Sequence, residues 1–434
     1  MKQLTRLFIP ICLETLFYML SGMVDTLMLS AVGDYAVGAV GTANSYIGIF
    51  IIMFSIISSG MVSVMTQNIG AGRPGVAYQA RQLGLLFNAV AGVLMAVFLF
   101  SGAGAILRMV GIADALYEPA LIYLKIVGGG CILNAVIPIF SSYLRAFGYT
   151  KQPLYATIVG NIANFVMNAV FLFVLHKGVA GVAAATVISK ILNLCIVLYF
   201  SHKLISAKNS TERIANKTGL GQIVKVGLPS ACETALYNVA MMLVIRFLNQ
   251  MDAEGLNVTA RSYTATISNF SYCVGAALAQ ANAIMTGWHI GAGELEECDR
   301  GTKRAAFVGV CVAVCMETAI VLGSGFIMPL FTDNPEMTAL VRKLLAIDIV
   351  LEIGRVTNLV FGQALKTSGD AVFPAVIAAV FMFVFAVGGT WLFGISMGLM
   401  AVGAYIGLAS DECVRAVGMV WRWKTGKWRT KKLV

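Results

Sequence analysis

Twelve long apolar runs constrain this chain more than any other feature of its sequence. They fall at about residues 7–31, 42–67, 83–107, 120–144, 153–175, 179–200, 222–249, 257–286, 304–329, 339–364, 371–394 and 399–421. Each is long enough to cross a bilayer as a helix, which takes about 20 mainly apolar residues. Backbone groups inside lipid must bond to one another, so runs of this length predict helices. The sequence therefore predicts an all-α integral membrane protein.

The composition agrees with a chain whose solvent is mostly lipid. Hydrophobic residues make up 59% of it and charged residues 12%, against about 45–50% and about 25% in soluble domains. This balance excludes a soluble enzyme and a disordered protein. The net charge of +10 would by itself suggest a nucleic-acid partner. The basic residues, however, lie mainly in short loops between apolar runs, so we expect a bilayer and no nucleic acid as partner.

The distribution of Lys and Arg predicts the orientation of the chain. Segments on one side of the twelve runs, with the carboxyl-terminal tail, hold 21 basic residues, whereas those on the other side hold five. Short loops rich in Lys and Arg stay in the cytoplasm. Both termini are therefore predicted to face the cytoplasm. Three tryptophans among the basic residues of the tail, Trp421, Trp423 and Trp428, predict anchoring at the membrane interface.

The two halves of the sequence repeat one another. Three groups of similar residues recur at offsets of 219 to 221: Pro10–Tyr18 with Pro229–Tyr237, Ile69–Gly72 with Ile290–Gly293, and Leu144, Gly148 and Pro153 with Leu365, Gly369 and Pro374. Six helices per half is an even number, so both halves have the same orientation in the membrane. We expect twelve transmembrane helices in two six-helix lobes, residues 1–205 and 206–434, related by a parallel repeat. Such duplication is typical of secondary transporters, with the site between the halves.

Several motifs, in their order and spacing, resemble the multidrug and toxic compound extrusion (MATE) family of secondary antiporters over nearly the whole chain. They include the Pro10 helix that ends in Val24-Asp25-Thr26, the Gly-Ala-Gly turns after helices 2 and 8, and the Gly-Val-Ala-Gly run at 178–181. The stretches 352–358, 365–370 and 411–415 resemble a bacterial branch of that family. The resemblance implies a protein of the bacterial plasma (inner) membrane.

The resemblance also implies a function. It points to an antiporter that exports organic, often cationic, amphipathic compounds in exchange for Na⁺ or H⁺ by alternating access. The alternative is a lipid-linked oligosaccharide flippase of the same superfamily, which would need a cationic cavity to hold pyrophosphate. An enzyme is not expected, because the three His are scattered. ATP hydrolysis by this chain is not expected either, because there is no phosphate-binding loop of the Walker type. We expect a monomer with a small-molecule substrate and no cofactor.

One candidate site lies in the first half. Asp25 sits at bilayer depth with no basic residue within a turn, and a lone charge there usually has a function or a partner. The resemblance implies that Asp25, Asn164, Asn168 and Thr186 bind the coupling cation, which would make Asp25 the one place for Na⁺. Asn168 departs from the family, which has a second carboxylate there. The alternative is that Asn164 and Asn168, one turn apart, join helices by hydrogen bonds.

The second half offers further candidates. Asp348, Glu352 and Arg355 have the spacing i, i+4 and i+7, so they share one face of a helix. They form either a self-neutralising ion pair or a protonatable group tuned by Arg355. Glu233 is either a cavity-lining glutamate or a contact for a substrate cation.

Two prolines and two arginines lie within the apolar runs or at their ends. Pro10 and Pro229 are predicted to bend their helices during gating. Arg246 and Arg261 are expected near the outer interface, without a role in the site.

Overall fold

The computed structural model describes residues 2–110, 112–206, 212–252 and 255–434, and in those ranges the chain forms thirteen α-helices and no β-strand. The helices are α1 (Lys2–Ser30), α2 (Asp34–Gly70), α3 (Pro74–Val110), α4 (Asp114–Gly129), α5 (Cys131–Ala146), α6 (Lys151–Ala169), α7 (Gly178–Leu204), α8 (Asn216–Met251), α9 (Leu256–Ala292), α10 (Leu295–Ile327), α11 (Pro335–Ser368), α12 (Val372–Phe381) and α13 (Met400–Lys424). Two of them continue as π-helical turns, α6 over Val170–Val174 and α12 over Met382–Val387 and Thr390–Ser396.

The twelve predicted transmembrane segments are confirmed. Each apolar run coincides with one helix, except that the run at 120–144 is divided into α4 and α5, which meet at an angle of 41°. The bend falls at Gly130, the last of three consecutive glycines. Glycine is unfavourable inside a helix by about 1 kcal/mol relative to alanine, so the helix breaks there most easily. The predicted fold class, an all-α membrane protein with two six-helix lobes, is thus correct.

Three helices are less apolar than the rest. Within the described residues, eight helices are long and apolar enough to span a membrane, or nine if the bent pair α4–α5 counts as one span. The helices α9, α11 and α13 fall outside this set because polar and charged side chains interrupt them. Many of these side chains are buried, since α11 packs against both α9 and α13. The candidate residues Asp348 and Glu352 lie in this polar interior.

By their internal contacts the helices form two compact units. We call Ile9–Gly227 the amino-terminal lobe, and Leu228–Val434 with the amino-terminal segment up to Phe8 the carboxyl-terminal lobe. The core of the first includes Phe54, Leu99 and Leu124. The core of the second includes Leu344 and Leu351. The boundaries between the units fall inside α1 and α8, so each of these helices contributes to both lobes.

Glycines with positive φ confirm the internal repeat at the level of the backbone. L-residues with a side chain rarely adopt positive φ, so such glycines mark turns that the fold requires. Four of them recur in the second half at an offset of 220 to 222 residues: Gly33 and Gly255, Gly72 and Gly293, Gly148 and Gly369, and Gly178 and Gly398. The two halves therefore turn at equivalent points between equivalent helices.

The carboxyl-terminal tail differs from its prediction. Trp423 and Trp428 are each 1% exposed, and their rings stack with centroids 4.1 Å apart. The indole of Trp423 donates a hydrogen bond to Asp299 Oδ1 (2.7 Å), and Arg429 pairs with Glu296 (2.6 Å). Trp423 thus has an acidic partner on α10, and the indole of Trp428 donates to the Trp423 carbonyl oxygen (3.0 Å), so both pack within the carboxyl-terminal lobe. Only Trp421, 58% exposed, keeps the exposure of an interfacial anchor.

Candidate functional site

The amino-terminal lobe brings three of the four predicted cation-site residues into one hydrogen-bonded cluster. The Asn168 amide donates to Asp25 Oδ1 (2.8 Å) and to Asn164 Oδ1 (3.1 Å). Asn164 and Asn168 stand one turn apart on α6 and face α1, and Asn168 is fully buried. The Oδ1 atom of Asn168 is also buried and accepts no hydrogen bond. An oxygen in this state beside a carboxylate is suited to a bound cation or to a protonated acid.

Thr186 lies close to this cluster but is not bonded to Asp25. Its hydroxyl donates to the Val182 carbonyl of its own helix (2.9 Å). The phenol of Tyr123 on α4 interacts with Thr186, with Asn44 and with the charge of Asp25. Tyr123 thus joins Thr186 to the cluster, a role that the sequence pattern did not indicate.

A buried lysine accompanies the cluster. Lys190 lies on α7, one turn after Thr186, and its ammonium group donates to Asn134 Oδ1 (2.8 Å). It also interacts electrostatically with Asp25. When both groups are ionised, the charges of Asp25 and Lys190 cancel. In the sequence, Lys190 stands out only as a charge within the apolar run 179–200, and this alone does not indicate a site.

An ion pair is repeated in both lobes. In the amino-terminal lobe Glu14 on α1 pairs with Arg145 on α5 (2.6 Å). In the carboxyl-terminal lobe Glu233 on α8 pairs with Lys366 on α11 (2.8 Å). Both partners of the second pair follow those of the first by the repeat offset, and each glutamate comes four residues after a proline. Glu233 is therefore held by a base in the wall of its lobe.

The predicted acidic face of α11 divides into a paired and an unpaired part. Glu352 forms an ion pair with Arg355. Asp348 is 2% exposed, and its Oδ2 atom has no hydrogen-bond partner. Arg355 also approaches Glu412 of α13 (3.8 Å). The self-neutralising ion pair therefore exists between Glu352 and Arg355, and Asp348 stands outside it.

Further charged residues surround this face, and no sequence pattern assigns them to a site. On α13, Arg415 pairs with Asp411 (2.7 Å) and with Glu412 (2.8 Å). Glu317 on α10 is fully buried, without hydrogen bonds to either carboxylate oxygen, and interacts with the charges of Asp348 and Glu352. The cluster is not visible in the sequence, because its members lie on α10, α11 and α13, which are far apart along the chain.

A cavity of about 460 Å³ opens among these residues within the carboxyl-terminal lobe. Its charged lining residues are the acids Glu233, Asp348, Asp411 and Glu412 and the bases Arg261, Arg355, Lys366 and Arg415. Tyrosine and methionine side chains complete the wall. This size and mixed lining are typical of a site for a small organic molecule.

The chain matches a family model and is similar to known bacterial proteins along nearly its whole length. The MatE family model matches residues 10–170 and 229–392. The uncharacterized transporter YisQ of Bacillus subtilis is 32% identical over 428 residues, which cover 97% of this chain and 94% of that protein. The probable multidrug resistance protein NorM of Thermotoga maritima is 20% identical over 446 residues, covering 100% and 94%.

Solved structures share the fold. An outward-facing multidrug resistance MATE family transporter of the MOP superfamily superposes with a TM-score of 0.85 at 21% identity, covering 98% of this chain and 96% of that one. A MATE protein in its bent conformation gives a TM-score of 0.84 at 20% identity, covering 99% and 96%. The family match, the relative in Bacillus subtilis and the twelve transmembrane segments agree with one another. The chain therefore belongs to the MATE family and is a multi-pass membrane transporter.

Proposed function

We propose that the protein is a secondary active antiporter that exports organic, often cationic, amphipathic compounds in exchange for H⁺ or Na⁺ by alternating access. It acts as a monomer in a bacterial inner membrane with both termini in the cytoplasm. The observation that carries the proposal is the cluster of Asp25, Asn164 and Asn168 within a lobe of apolar helices. A carboxylate at bilayer depth is costly unless it has a function or a partner.

The cluster has the chemistry that coupling requires. Addition of a cation at Asp25 changes the charge of the lobe interior, and the unpartnered Oδ1 of Asn168 is adjacent to receive it. Binding of the cation therefore favours the conformation in which this cluster is satisfied, and binding of substrate favours the other. Each ligand must bind the two states with different affinity for this exchange to work.

Lys190 bears on the choice of ion. A sodium ion needs several oxygen ligands and the field of a carboxylate. The amino group of Lys190 interacts with Asp25, and when it is protonated it opposes that field. A proton instead forms a covalent bond to Asp25 and needs no shell of ligands. Within the proposal, H⁺ is therefore favoured over Na⁺ as the coupling ion.

The charge balance of the carboxyl-terminal cavity supports export over lipid flipping. A flippase for a lipid-linked oligosaccharide would need an excess of bases to hold pyrophosphate. The cavity wall instead carries as many carboxylates as bases.

Ethidium efflux from proteoliposomes tests the proposal, with a pH gradient and a Na⁺ gradient imposed separately. We expect the pH gradient to drive efflux, and Asp25→Asn to reduce it to the rate of protein-free liposomes. Asp114→Asn is the matched control, because Asp114 is an exposed acid at the start of α4 in the same lobe. Full efflux by Asp25→Asn, or no response of the wild type to either gradient, would refute the proposal.

A further inference from the structure

A buried arginine of the amino-terminal lobe lies among aromatic rings. Arg81 on α3 is 7% exposed, and its guanidinium carbon lies 4.5 Å from the centroid of the Tyr78 ring on the same helix. The rings of Tyr143 and Phe140 on α5 follow at 5.1 Å and 5.4 Å. Aromatic faces attract a cation. They do not, however, replace the oxygen acceptors that the five N–H donors of a guanidinium need.

Arg81 has no such acceptor in the part of the chain that the structure describes. It forms no ion pair there, and its Nε atom is buried without a hydrogen-bond partner. Glu212, an exposed acid of the same lobe, does not pair with it. Arg415 in the carboxyl-terminal lobe, 5% exposed, is instead held by Asp411 and Glu412. A buried charge without a partner is costly, so an anion from outside the chain would stabilise Arg81.

A second arginine reaches the same tyrosine. The guanidinium carbon of Arg213 lies 5.7 Å from the centroid of the Tyr78 ring, and its Nη1 atom donates to the Gly75 carbonyl oxygen (3.1 Å). Gln79 fixes the segment that follows Arg213. Its amide nitrogen donates to the Ile214 carbonyl oxygen (2.7 Å), and its Oε1 atom accepts from the Ile214 N–H (3.0 Å). Two positive groups are thus held beside one ring although they repel each other.

The equivalent region of the carboxyl-terminal lobe carries acids. At the repeat offset of 221, the residues Gly75, Tyr78 and Arg81 correspond to Glu296, Asp299 and Thr302. Glu296 pairs with Arg429, and Asp299 accepts from the Trp423 indole. Thr302 is neutral and accepts a hydrogen bond from Asn282 (3.4 Å). The excess of positive charge is therefore a property of the amino-terminal lobe and does not follow from the repeat.

The position of Arg81 along the chain indicates which anion would meet it. Arg81 comes two residues before the apolar run at 83–107, on the side predicted to face the cytoplasm. Phosphate groups of lipids lie at this depth, and anionic lipids attract basic residues there. The planar fork of a guanidinium matches two oxygens of a phosphate group. The hydroxyl of Tyr143, buried and without a hydrogen-bond partner, is a further donor.

We propose that Arg81, Arg213 and Tyr143 form a binding site for a phosphate group on the cytoplasmic side of the amino-terminal lobe. The phosphate belongs either to the headgroup of an anionic phospholipid or to inorganic phosphate in solution, and the same donors recognise both. None of the three residues belongs to the Asp25 cluster or lines the carboxyl-terminal cavity. The proposal is therefore independent of the proposed export function.

Thermal unfolding of the purified, delipidated full-length protein in detergent tests the site. Short-chain phosphatidylglycerol, short-chain phosphatidylcholine and inorganic phosphate are titrated separately at constant ionic strength. We expect phosphatidylglycerol to raise the melting temperature of the wild type more than phosphatidylcholine does, because a ligand that binds the folded state stabilises it. If inorganic phosphate also raises it, the site takes soluble phosphate. If only phosphatidylglycerol does, the site is specific for a lipid headgroup.

Variants of the arginines assign the response. Arg81→Gln should weaken the apparent affinity for the active probe at least about tenfold, the size of a hydrogen bond to a charged group. Arg81→Lys keeps the charge but loses the planar fork, so it should recover part of the affinity. Arg73→Gln is the matched control, because Arg73 is exposed directly before α3; it should respond as the wild type does.

Two milder variants test the site without removing the buried charge. Arg213→Gln changes an exposed side chain, and Tyr143→Phe keeps the ring and loses only the hydroxyl. Each should weaken the response of a protein that melts close to the wild type. Without a probe, Arg81→Gln itself should melt at or above the wild-type temperature, since it removes an uncompensated charge.

Three results would rule the site out. They are a wild type that responds to neither phosphatidylglycerol nor inorganic phosphate, responses of Arg81→Gln equal to those of the wild type, and equal losses in Arg81→Gln and Arg73→Gln. Equal stabilisation of the wild type by phosphatidylcholine and phosphatidylglycerol, without any response to inorganic phosphate, would likewise exclude recognition of an anion.

Discussion

At the scale of single residues, Asn168 and Lys190 set the electrostatics around Asp25. Asn168 contributes a neutral amide that donates a hydrogen bond to Asp25, and Lys190 contributes a basic group one turn from Thr186. Asp25 is therefore the one acid among Asp25, Asn164 and Asn168, and Lys190 offsets its charge. A site of this kind attracts free sodium weakly, since its one carboxylate already has an opposite charge nearby.

Replacement of both residues by more acidic ones should alter the ion that drives transport. The double variant Asn168→Asp, Lys190→Gln makes the cluster more negative by two charges, so we expect a Na⁺ gradient to drive ethidium efflux in it. The measurement is the initial rate of efflux against Na⁺ concentration at constant pH. Asp25→Asn added to this variant should abolish the response. An identical dependence on Na⁺ in wild type and double variant would contradict the expectation.

The sequence and the structure agree on part of this cluster. Asp25, Asn164 and Asn168 are predictable because their types and spacing match a known pattern. Lys190, Tyr123 and Arg261 are not, because a single polar residue in an apolar run does not indicate which helix it faces. Arg261, predicted to lie near the outer interface, lines a cavity, and this position follows from the packing of α9 against α11.

At the scale of helices, α1 with Pro10 and α8 with Pro229 are each joined to another helix of their lobe by an ion pair. Glu14 connects α1 to α5 in one lobe, and Glu233 connects α8 to α11 in the other. The sequence repeat predicts that the two glutamates are equivalent. Which basic residues pair with them is visible only in the folded structure. Loss of one partner leaves the other charge uncompensated in a largely buried position.

A double-mutant cycle measures this connection in the carboxyl-terminal lobe. Glu233→Gln and Lys366→Met should each lower the free energy of unfolding, and the double variant should lose less than the sum of the two. We expect a coupling of about 1 kcal/mol or more between these contacting residues. Unfolding in denaturant, followed by circular dichroism, gives the values. Additivity within about 0.3 kcal/mol would show that the pair does not stabilise the lobe.

Glycine sets the distance between α8 and α2 in the amino-terminal lobe. A Cβ atom on Gly227 would lie 1.7 Å from the Ile56 carbonyl oxygen, and one on Gly60 would lie 1.9 Å from that of Ile223. Small residues at such crossings let helix backbones approach closely in a membrane. The contact is incompatible with any side chain at these positions.

Alanine at these positions should therefore separate the two helices. We expect Gly227→Ala to lower the melting temperature of the purified protein by several degrees. Gly221→Ala in the same helix is the control, because its Cβ meets nothing within 4 Å; it should be neutral or slightly stabilising. Equal melting temperatures for the two variants would show that the two helix backbones can move apart without loss of stability.

At the scale of the whole molecule, the boundaries between the two compact units fall beside the two prolines predicted to act in gating. One boundary lies between Phe8 and Ile9, next to Pro10, and the other between Gly227 and Leu228, next to Pro229. A proline inside a helix lacks the N–H that would bond to the preceding turn, which weakens the helix at that point. These are the places where each helix bends most easily.

Removal of a proline should slow transport without weakening substrate binding. We expect Pro229→Ala to lower the maximal rate of efflux in proteoliposomes several-fold while dye affinity stays unchanged. Pro138→Ala is the matched control, because Pro138 lies inside α5, away from both boundaries. A loss of rate equal to that of the control variant would contradict a role for Pro229 in the conformational change.

The stacked indoles of Trp423 and Trp428 provide an optical signal that needs no added label. Two rings face to face at 4.1 Å absorb and emit differently from separated indoles, and Trp423 also touches Phe361 of α11. Any movement that separates the last turn of α13 from α10 or α11 would change the emission of this pair. The protein thus carries a native fluorophore at the carboxyl-terminal end of α13, suited to following conformational change in real time.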